Sequence, residues 1–196
     1  MAGKGSQFER EICKLLSMWW TDGERDDIFW RTSQSGGRAT SRRGRSTKYQ
    51  HGDVTFTDPI GAPLIELFTI ELKRGYSKAN VHGVLDRQEL AKQETFEAHV
   101  EQARKAQRAA NTPYWMLIQR RNQRHAVVWV PSAGFTKFHE LFGNRNRLQA
   151  RFFLRCESGL EERTLTSMVG VSLADWVACV TPHHIKELNE MERTDD

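Results

Sequence analysis

The segment that most constrains the fold is Ile65-Glu66-Leu67-Phe68-Thr69-Ile70-Glu71-Leu72-Lys73, which predicts a β-strand with an apolar and a polar face. Successive side chains of a strand point to opposite faces, so one set is expected to pack on a protein core. That set consists of Phe68, Ile70 and Leu72. Glu71 and Lys73 then project together from the other face, with Cα atoms roughly 6.5–7 Å apart. The strand therefore places a carboxylate and an ammonium side by side.

A second predicted strand, Asp53-Val54-Thr55-Phe56-Thr57, lies shortly before the first along the chain. Its apolar residues are expected to point inward, and Asp53 is expected to lie on the opposite face. The intervening residues 58–63 contain two prolines and a glycine, which favours a turn and a hairpin of the two strands. Asp53 is then expected to meet Glu71 and Lys73 on one face.

Asp53, Glu71 and Lys73 together provide the groups that hold Mg²⁺ against a phosphate and activate water for hydrolysis. Each residue also has a simpler interpretation. Glu71 and Lys73 are compatible with a hydrated polar edge of a sheet, and Asp53 with a turn position after Gly52. The combination is more specific, because a glycine and an acid open one strand and an acid and a lysine close the next. It favours a site that cuts phosphodiester bonds.

A basic, glycine-rich stretch, residues 31–52, leads into both strands and contains no acidic residue. Its basic residues are Arg31, Arg38, Arg42, Arg43, Arg45 and Lys48. Such a composition cannot bury enough apolar surface to fold alone, so we expect a strand near residues 28–32 followed by a mobile basic loop. Arginine binds phosphate through paired hydrogen bonds, which makes these basic residues, and Arg74 at the end of the predicted strand 65–73, candidates for DNA contacts. A solvated loop without a ligand is the alternative.

Apolar residues recur at helical spacing near the N-terminus and predict an amphipathic helix over about residues 6–20. They are Phe8, Ile12, Leu15, Leu16 and Trp19. Ser6 and Glu9 fit the Ser-x-x-Glu capping box, in which the glutamate hydrogen-bonds the backbone at the start of the helix. This local role is one of two interpretations of Glu9.

Asp53 followed by Glu71-Leu72-Lys73 resembles the core motif of the PD-(D/E)XK nuclease superfamily. Residues 3–16 resemble the first helix of archaeal-type Holliday-junction resolvases, in their Gly-Ser, Glu-Arg-Glu and Leu-Leu pattern. The resemblance covers roughly residues 3–130. It implies a restriction-endonuclease-like α/β fold, in which helices flank a central mixed β-sheet.

The resemblance also implies the residues of the site. Catalysis is expected from Lys73, Glu71, Asp53 and Glu9. The implied ligands of Mg²⁺, for which Mn²⁺ can substitute, are Asp53, Glu71, the backbone carbonyl of Leu72 and Glu9. Metal binding is thus the second interpretation of Glu9. Ser33 and Ser35 resemble a Ser/Gly-containing loop of these resolvases and are therefore candidates for DNA binding.

The function implied is a Mg²⁺-dependent, structure-selective DNA endonuclease that cuts branched DNA, especially four-way junctions, as a homodimer. Two alternatives stay open. A restriction-like or nicking endonuclease would use the same chemistry on ordinary duplex DNA. A DNA-binding module without catalysis would use the basic loop alone, with Glu71 and Lys73 as an accidental pair.

The remaining pattern predicts a helix and two hairpin strands: residues 87–110, 114–118 and 126–130. Residues 1–131 form the predicted nuclease core. The C-terminal extension, residues 132–196, is predicted to be an α+β appendage that adds a packing layer, a dimer surface or a target-reading element. Its predicted elements are a helix over residues 135–142, strands over 151–156 and 164–169, and a helix capped by Ser172.

Charge is distributed unevenly along the chain. The formal net charge is +4, but residues 185–196 hold two basic and five acidic residues, so residues 1–184 carry +7. A basic body favours a polyanionic partner, and residues 186–196 form an acidic tail.

Three widely spaced cysteines predict neither a disulfide framework nor a zinc site. The chain has no apolar run long enough to span a membrane, so the cytoplasm, of the host cell if a phage encodes the protein, is the expected location.

Overall fold

The computed structural model describes residues 4–32, 51–76, 79, 81, 95–134, 150–158 and 162–194. In these ranges the helices are α1 (Lys4–Trp20), α2 (Ala62–Leu67), α3 (Thr95–Ala110), α4 (Leu173–Cys179) and α5 (Pro182–Thr194). The strands are β1 (Phe29–Arg31), β2 (Val54–Phe56), β3 (Phe68–Arg74), β4 (Tyr114–Arg120), β5 (Ala126–Pro131), β6 (Ala150–Ser158) and β7 (Glu162–Ser172). A short 3₁₀ turn, Pro59–Gly61, precedes α2.

The main sheet has the strand order β3-β4-β5-β7-β6. β3 and β4 run parallel, with Glu71 opposite Leu117 and Lys73 opposite Gln119, whereas the other pairs are antiparallel. A parallel pair needs a crossover connection, and α3 lies between these two strands in the chain. The mixed sheet and its flanking helices confirm the predicted restriction-endonuclease-like α/β fold.

The predicted hairpin between residues 53–57 and 65–73 is wrong. β2 pairs with β1 instead, and these two strands form a separate antiparallel ribbon. Residues 62–67 are helical, and Pro63 stands in the first turn, where a helix does not need the missing N–H. Strand β3 therefore begins at Phe68 rather than at the predicted position.

Helices cover both faces of β3. The first core joins α1 to one face through Phe8, Ile12, Leu16, Phe68, Ile70 and Leu72. The second core joins α3 to the other face of the sheet through Phe96, Val100, Ala103, Trp115, Leu117 and Trp129. The predicted core-facing set of the strand is thus confirmed. Because both faces are covered, polar side chains on the second face are buried rather than hydrated.

The predicted amphipathic N-terminal helix is confirmed as α1, but its start differs from the expectation. α1 begins at Lys4, which places Ser6 inside the helix, so the capping box of Ser6 and Glu9 is wrong. The pattern of apolar residues defines the buried face of a helix well, whereas it defines the first residue poorly. Glu9 then lies beyond the first turn of the helix, where a capping box requires its glutamate.

The described part of residues 132–196 is α+β, as predicted, and it is continuous with the rest of the fold. β7 pairs with β5, and β6 pairs with β7, so both strands extend the main sheet. The Ser172 hydroxyl accepts a hydrogen bond from the Asp175 N–H (3.0 Å) and caps α4, as predicted. Apolar residues of α4 and α5 join the first core. The helix predicted over residues 135–142 lies outside the described residues.

Two simpler features of the described ranges complete the fold. Cys13 and Cys179 are free thiols. None of the helices in these ranges combines the length and the apolar content that a bilayer span requires.

Candidate active site

Among the described strands, β3 lies at one edge of the main sheet, and Asp53 occupies the position of a neighbouring strand there. The Asp53 N–H donates to the carbonyl of Ile70 (2.7 Å). The Asp53 carboxylate in turn accepts a hydrogen bond from the N–H of Leu72 (2.8 Å, to Oδ2). Two hydrogen bonds therefore fix this carboxylate against the backbone of the strand that carries Glu71.

The residue before Asp53 is a glycine because the backbone requires one. Gly52 has a φ of +78°, and a Cβ on it would lie 2.7 Å from the carbonyl oxygen of Ile70. From the other side, Thr32 donates its N–H to the Asp53 carbonyl (3.0 Å) and its hydroxyl to the Gly52 carbonyl (2.8 Å). The dipeptide is thus held between β3 and the end of β1.

Glu71 and Lys73 lie on the α3 face of β3 and contact each other, as the alternation predicts. The Lys73 Nζ is 3.3 Å from Glu71 Oε2. Gln102, on α3, donates from Nε2 to the same oxygen (2.9 Å). The Glu71 side chain is only 5 % exposed, which excludes the interpretation as a hydrated polar edge. Two donors instead orient a buried carboxylate.

Burial dominates the electrostatics of the two carboxyl groups. Burial and the nearby charge of Asp53 together raise the pKa of Glu71 to about 7, against the opposing effect of Lys73. Burial also raises the pKa of Asp53, while the Leu72 N–H and the charge of Lys73 oppose this shift. The two carboxyl groups are near enough to interact electrostatically. Lys73 alone does not compensate two ionised carboxylates, so the site has an excess of negative charge when both are ionised.

Glu9 approaches the same place from α1. Its Oε2 lies 3.2 Å from an Nη1 of Arg31, and its side chain is largely buried. The charge of Glu9 is among the causes that raise the pKa of Asp53, which places the two carboxylates near each other. The structure therefore brings Asp53, Glu71, Lys73, Glu9 and Arg31 together.

Of the other predicted DNA-binding residues, Arg74 lies in the described part of the chain and is not part of this group. Arg74 lies on the α1 face of β3, where its Nη1 is 3.8 Å from Glu11 Oε1. Glu11 also pairs with Arg120 (2.6 Å), so it links α1 to the ends of β3 and β4. The remaining predicted residues lie outside the described part of the chain: Ser33, Ser35, Arg38, Arg42, Arg43, Arg45 and Lys48.

Two residues of α3 belong to the site and were not predicted. The amide of Gln102 orients Glu71. His99, one turn earlier, is buried, and burial together with the charge of Lys73 lowers the pKa of His99 to about 4. The spacing i, i+3 places both on one helical face, but the sequence does not show which face meets β3.

The donor set of the site fits Mg²⁺. The part of the chain that the structure describes contains no group of three His, Cys, Asp or Glu side chains arranged as a complete ligand set. Mg²⁺ does not need one, because it binds through one or two carboxylates and keeps several waters. Asp53 and Glu71 provide two carboxylates, and the carbonyl of Leu72 faces the same strand edge as the N–H that binds Asp53. These are hard oxygen donors, without the nitrogen or sulfur ligands typical of zinc.

Comparison with known proteins gives one match. A family model described as "Phage putative PDDEXK endonuclease" matches residues 2–187, which is nearly the whole chain. No curated protein and no solved structure matches the chain. The family match supports the resemblance to the PD-(D/E)XK superfamily and a phage origin. The finer resemblance to archaeal-type Holliday-junction resolvases stays a prediction.

Gly52→Ala tests how Asp53 is positioned, with Gly23→Ala as the matched control. Both glycines have positive φ, but a Cβ on Gly23 meets nothing within 4 Å, whereas one on Gly52 meets the Ile70 carbonyl. We expect Gly23→Ala to lower the free energy of unfolding by about 1–2 kcal/mol, from backbone strain alone. Gly52→Ala should lower it further and also weaken DNA cleavage. Equal effects of both variants, measured by urea unfolding, would contradict the close packing of Gly52 on β3.

The raised pKa of Glu71 predicts how stability depends on pH in the absence of metal. The pKa is about 7 in the folded state, against an ordinary value of 4.5, so the folded protein binds the extra proton between these values. The stabilisation is complete below pH 4.5 and is lost as the pH rises to about 7. Glu71 contributes roughly 3 kcal/mol to this loss of unfolding free energy in EDTA, and Asp53, whose pKa is also raised, adds to it. Glu71→Gln should flatten this dependence; an unchanged profile in the variant would show that another group causes it.

Proposed function

We propose that this chain, which belongs to the phage PDDEXK endonuclease family and is a nuclease, is a Mg²⁺-dependent endonuclease that cuts branched DNA. The observation that supports this chemistry is a group of three residues at the edge of β3, which we call the contact group. Asp53, Glu71 and Lys73 meet there, with the Asp53 carboxylate fixed by the Leu72 N–H and with Lys73 3.3 Å from Glu71. A buried acid pair with a shifted pKa beside a lysine is typical of catalytic sites.

We propose that Asp53, Glu71 and the Leu72 carbonyl hold Mg²⁺, with Glu9 as a further carboxylate nearby. When bound, the cation would neutralise negative charge on the scissile phosphate and lower the pKa of a water molecule. Mn²⁺, which also accepts oxygen ligands, is expected to substitute. Glu9 already pairs with Arg31 (3.2 Å), so it contributes through the net charge of the site as well as through its oxygens.

The chain's own residues orient and stabilise the reacting groups. Gln102 and Lys73 both donate to Oε2 of Glu71, so neither of these hydrogen bonds occupies Oε1. The ammonium of Lys73 lies beside the reacting phosphate in this arrangement, where it orients the attacking water and stabilises the negative charge that builds on the phosphate oxygens. Arg31, next to Glu9, supplies a second positive charge for a phosphate of the bound strand.

The proposed preference for branched DNA, and the proposed homodimer that presents two such sites, are argued from a different part of the chain. They rest on the likeness of residues 3–16 to the first helix of junction resolvases. A two-fold dimer places identical sites on two strands of a four-way junction. Cleavage of ordinary duplex DNA, as by a restriction-like or nicking enzyme, uses the same residues and is the alternative. A module without catalysis is disfavoured, because two buried carboxylates in contact destabilise a fold that does not use them.

A cleavage assay on labelled four-way junction and matched linear duplex, in Mg²⁺ or EDTA, tests the substrate. We expect Mg²⁺-dependent, symmetric nicks in the junction alone. Equal cutting of the linear duplex would replace the branched substrate with the restriction-like alternative. Binding of both DNAs without any cutting would contradict the proposed activity.

Substitutions in the contact group test the chemistry. Asp53→Asn, Glu71→Gln and Lys73→Ala should each lower the cleavage rate by about 100-fold or more, with DNA binding largely retained. Lys14→Ala is the charge-matched control for Lys73→Ala, because Lys14 forms an exposed ion pair with Asp26. It should cut at the rate of the unmodified protein. Full cleavage activity in any of the three site variants would exclude that residue from the site.

Metal binding has its own readout in the absence of DNA. At pH 8, where the carboxylates are ionised, Mg²⁺ should raise the unfolding free energy by about 2.7 kcal/mol at a concentration 100 times its Kd. Asp53→Asn and Glu71→Gln should remove this effect, whereas Lys14→Ala should keep it. The same Mg²⁺ response in the carboxylate variants, measured by thermal unfolding, would show that the cation binds elsewhere.

A further inference from the structure

Tyr76 is an exposed aromatic residue that the fold nevertheless holds in place. Its side chain is 50 % exposed. The ring packs edge-on against the buried His99, with centroids 4.7 Å apart. Its carbonyl accepts a hydrogen bond from the Ala79 N–H (3.0 Å), and the buried Gln119 side chain donates to the Ala79 carbonyl (2.9 Å). A large apolar surface is therefore presented to solvent in a fixed orientation.

The position of Tyr76 relates it to the proposed site of cleavage. Tyr76 follows Lys73 by three residues, so the two Cα atoms are at most about 11 Å apart. His99, which supports its ring, lies on the helical face of Gln102, whose amide reaches Glu71. With a rise of about 3.4 Å per nucleotide in a DNA strand, Tyr76 lies within a few nucleotides of the scissile phosphate.

Two arginines lie at the same end of the sheet. The Gly75 N–H donates to the Arg120 carbonyl (3.0 Å), and a Cβ on Gly75 would be 3.8 Å from the Asn122 side chain, so the β4–β5 turn lies beside the segment that carries Tyr76. Arg121 is half-buried and Arg124 is exposed in this turn. Within the described part of the chain, neither of them has a carboxylate partner. Arg120, in contrast, is paired with Glu11.

We propose that Tyr76, Arg121 and Arg124 form a subsite for an unpaired nucleotide of the DNA substrate, next to the place of cleavage. The base stacks on the exposed Tyr76 ring, and the arginines bind the adjacent phosphates. A base inside a continuous duplex has both faces occupied by its neighbours, so the subsite selects DNA in which a nucleotide is unpaired or displaced, as at a branch point. The inference rests on the proposed function, because the subsite is placed relative to Lys73.

A fixed tyrosine beside a turn that carries two arginines suits a nucleic acid better than a protein partner. His99 is neutral at physiological pH, because burial keeps its pKa well below the ordinary value, so the ring that supports Tyr76 adds no charge. The cations lie at the periphery, on the turn, where a phosphate backbone passes a stacked base. Aromatic platforms flanked by arginine or lysine are the usual arrangement for binding single-stranded DNA.

A DNA with 2-aminopurine at one unpaired position near a branch tests the stacking. With the full chain in EDTA, we expect binding to quench the fluorescence, and Tyr76→Phe to quench it equally. Tyr76→Ala should abolish the quenching and raise the Kd for this DNA about tenfold, with less than a twofold change for a fully paired duplex of the same length. Undiminished quenching in Tyr76→Ala, or an equal loss of affinity for both DNAs, would overturn the subsite.

Tyr76→Leu controls for packing, since leucine fills the space over His99 but offers no ring for stacking. It should fold with the stability of the unmodified protein and behave as Tyr76→Ala does in the fluorescence assay. Quenching that persists in Tyr76→Leu would show that Tyr76 only covers His99.

The arginines are tested by the salt dependence of binding to single-stranded DNA. Arg121→Ala and Arg124→Ala should each reduce the slope of log K against log salt by about 0.7, and the double variant that combines them should reduce it by the sum of the two effects. The double variant Lys14→Ala and Lys186→Ala, which removes the same charge from α1 and α5, should leave the slope unchanged. Equal slopes for both double variants would overturn the phosphate contact. These measurements need no cleavage. The subsite can therefore be disproved while the catalytic proposal holds, and the catalytic proposal can be disproved while the subsite is supported.

Discussion

The site depends on the way in which Asp53 closes the edge of β3. A strand at the edge of a sheet leaves backbone groups without a partner, and Asp53 satisfies two of them, the carbonyl of Ile70 and the N–H of Leu72. The same two contacts bring a carboxylate beside Glu71, although the chain segments that carry them belong to different sheets. Gly52 makes the approach possible, because any side chain there would meet the backbone of β3. The same hydrogen bonds therefore satisfy the edge of the sheet and position the carboxylate of the proposed site.

Burial of the carboxylates makes this geometry suitable for the proposed cation. The α3 face of β3 is covered, so Glu71 is removed from water, and its pKa rises to about 7. Lys73 and Gln102 orient one carboxylate oxygen without supplying enough positive charge for two ionised acids. In the metal-free protein a proton compensates the excess charge, and near neutral pH a divalent cation can take its place. The same pair that makes the fold sensitive to pH would therefore bind Mg²⁺.

The sequence predicts the local features of this arrangement and misses those that depend on distant contacts. The alternation of Phe68, Ile70 and Leu72 with Glu71 and Lys73 is visible because a strand repeats every two residues. The partner of residues 54–56 was not predictable, since a short strand pairs according to the whole fold, and β1 was the stronger competitor for it. Gln102 was missed for a similar reason: which face of α3 meets β3 is decided by packing with Phe96 and Val100.

The central claim is that Asp53 and Glu71 hold a divalent cation at the edge of β3. Anomalous X-ray diffraction from crystals soaked in Mn²⁺ tests it most directly, because Mn²⁺ is located independently of any assumption about the ligands. We predict a Mn²⁺ peak within coordination distance of both carboxylates and of the Leu72 carbonyl. A well-diffracting soaked crystal with no peak at this position, or with Mn²⁺ bound only by other residues, would contradict the account.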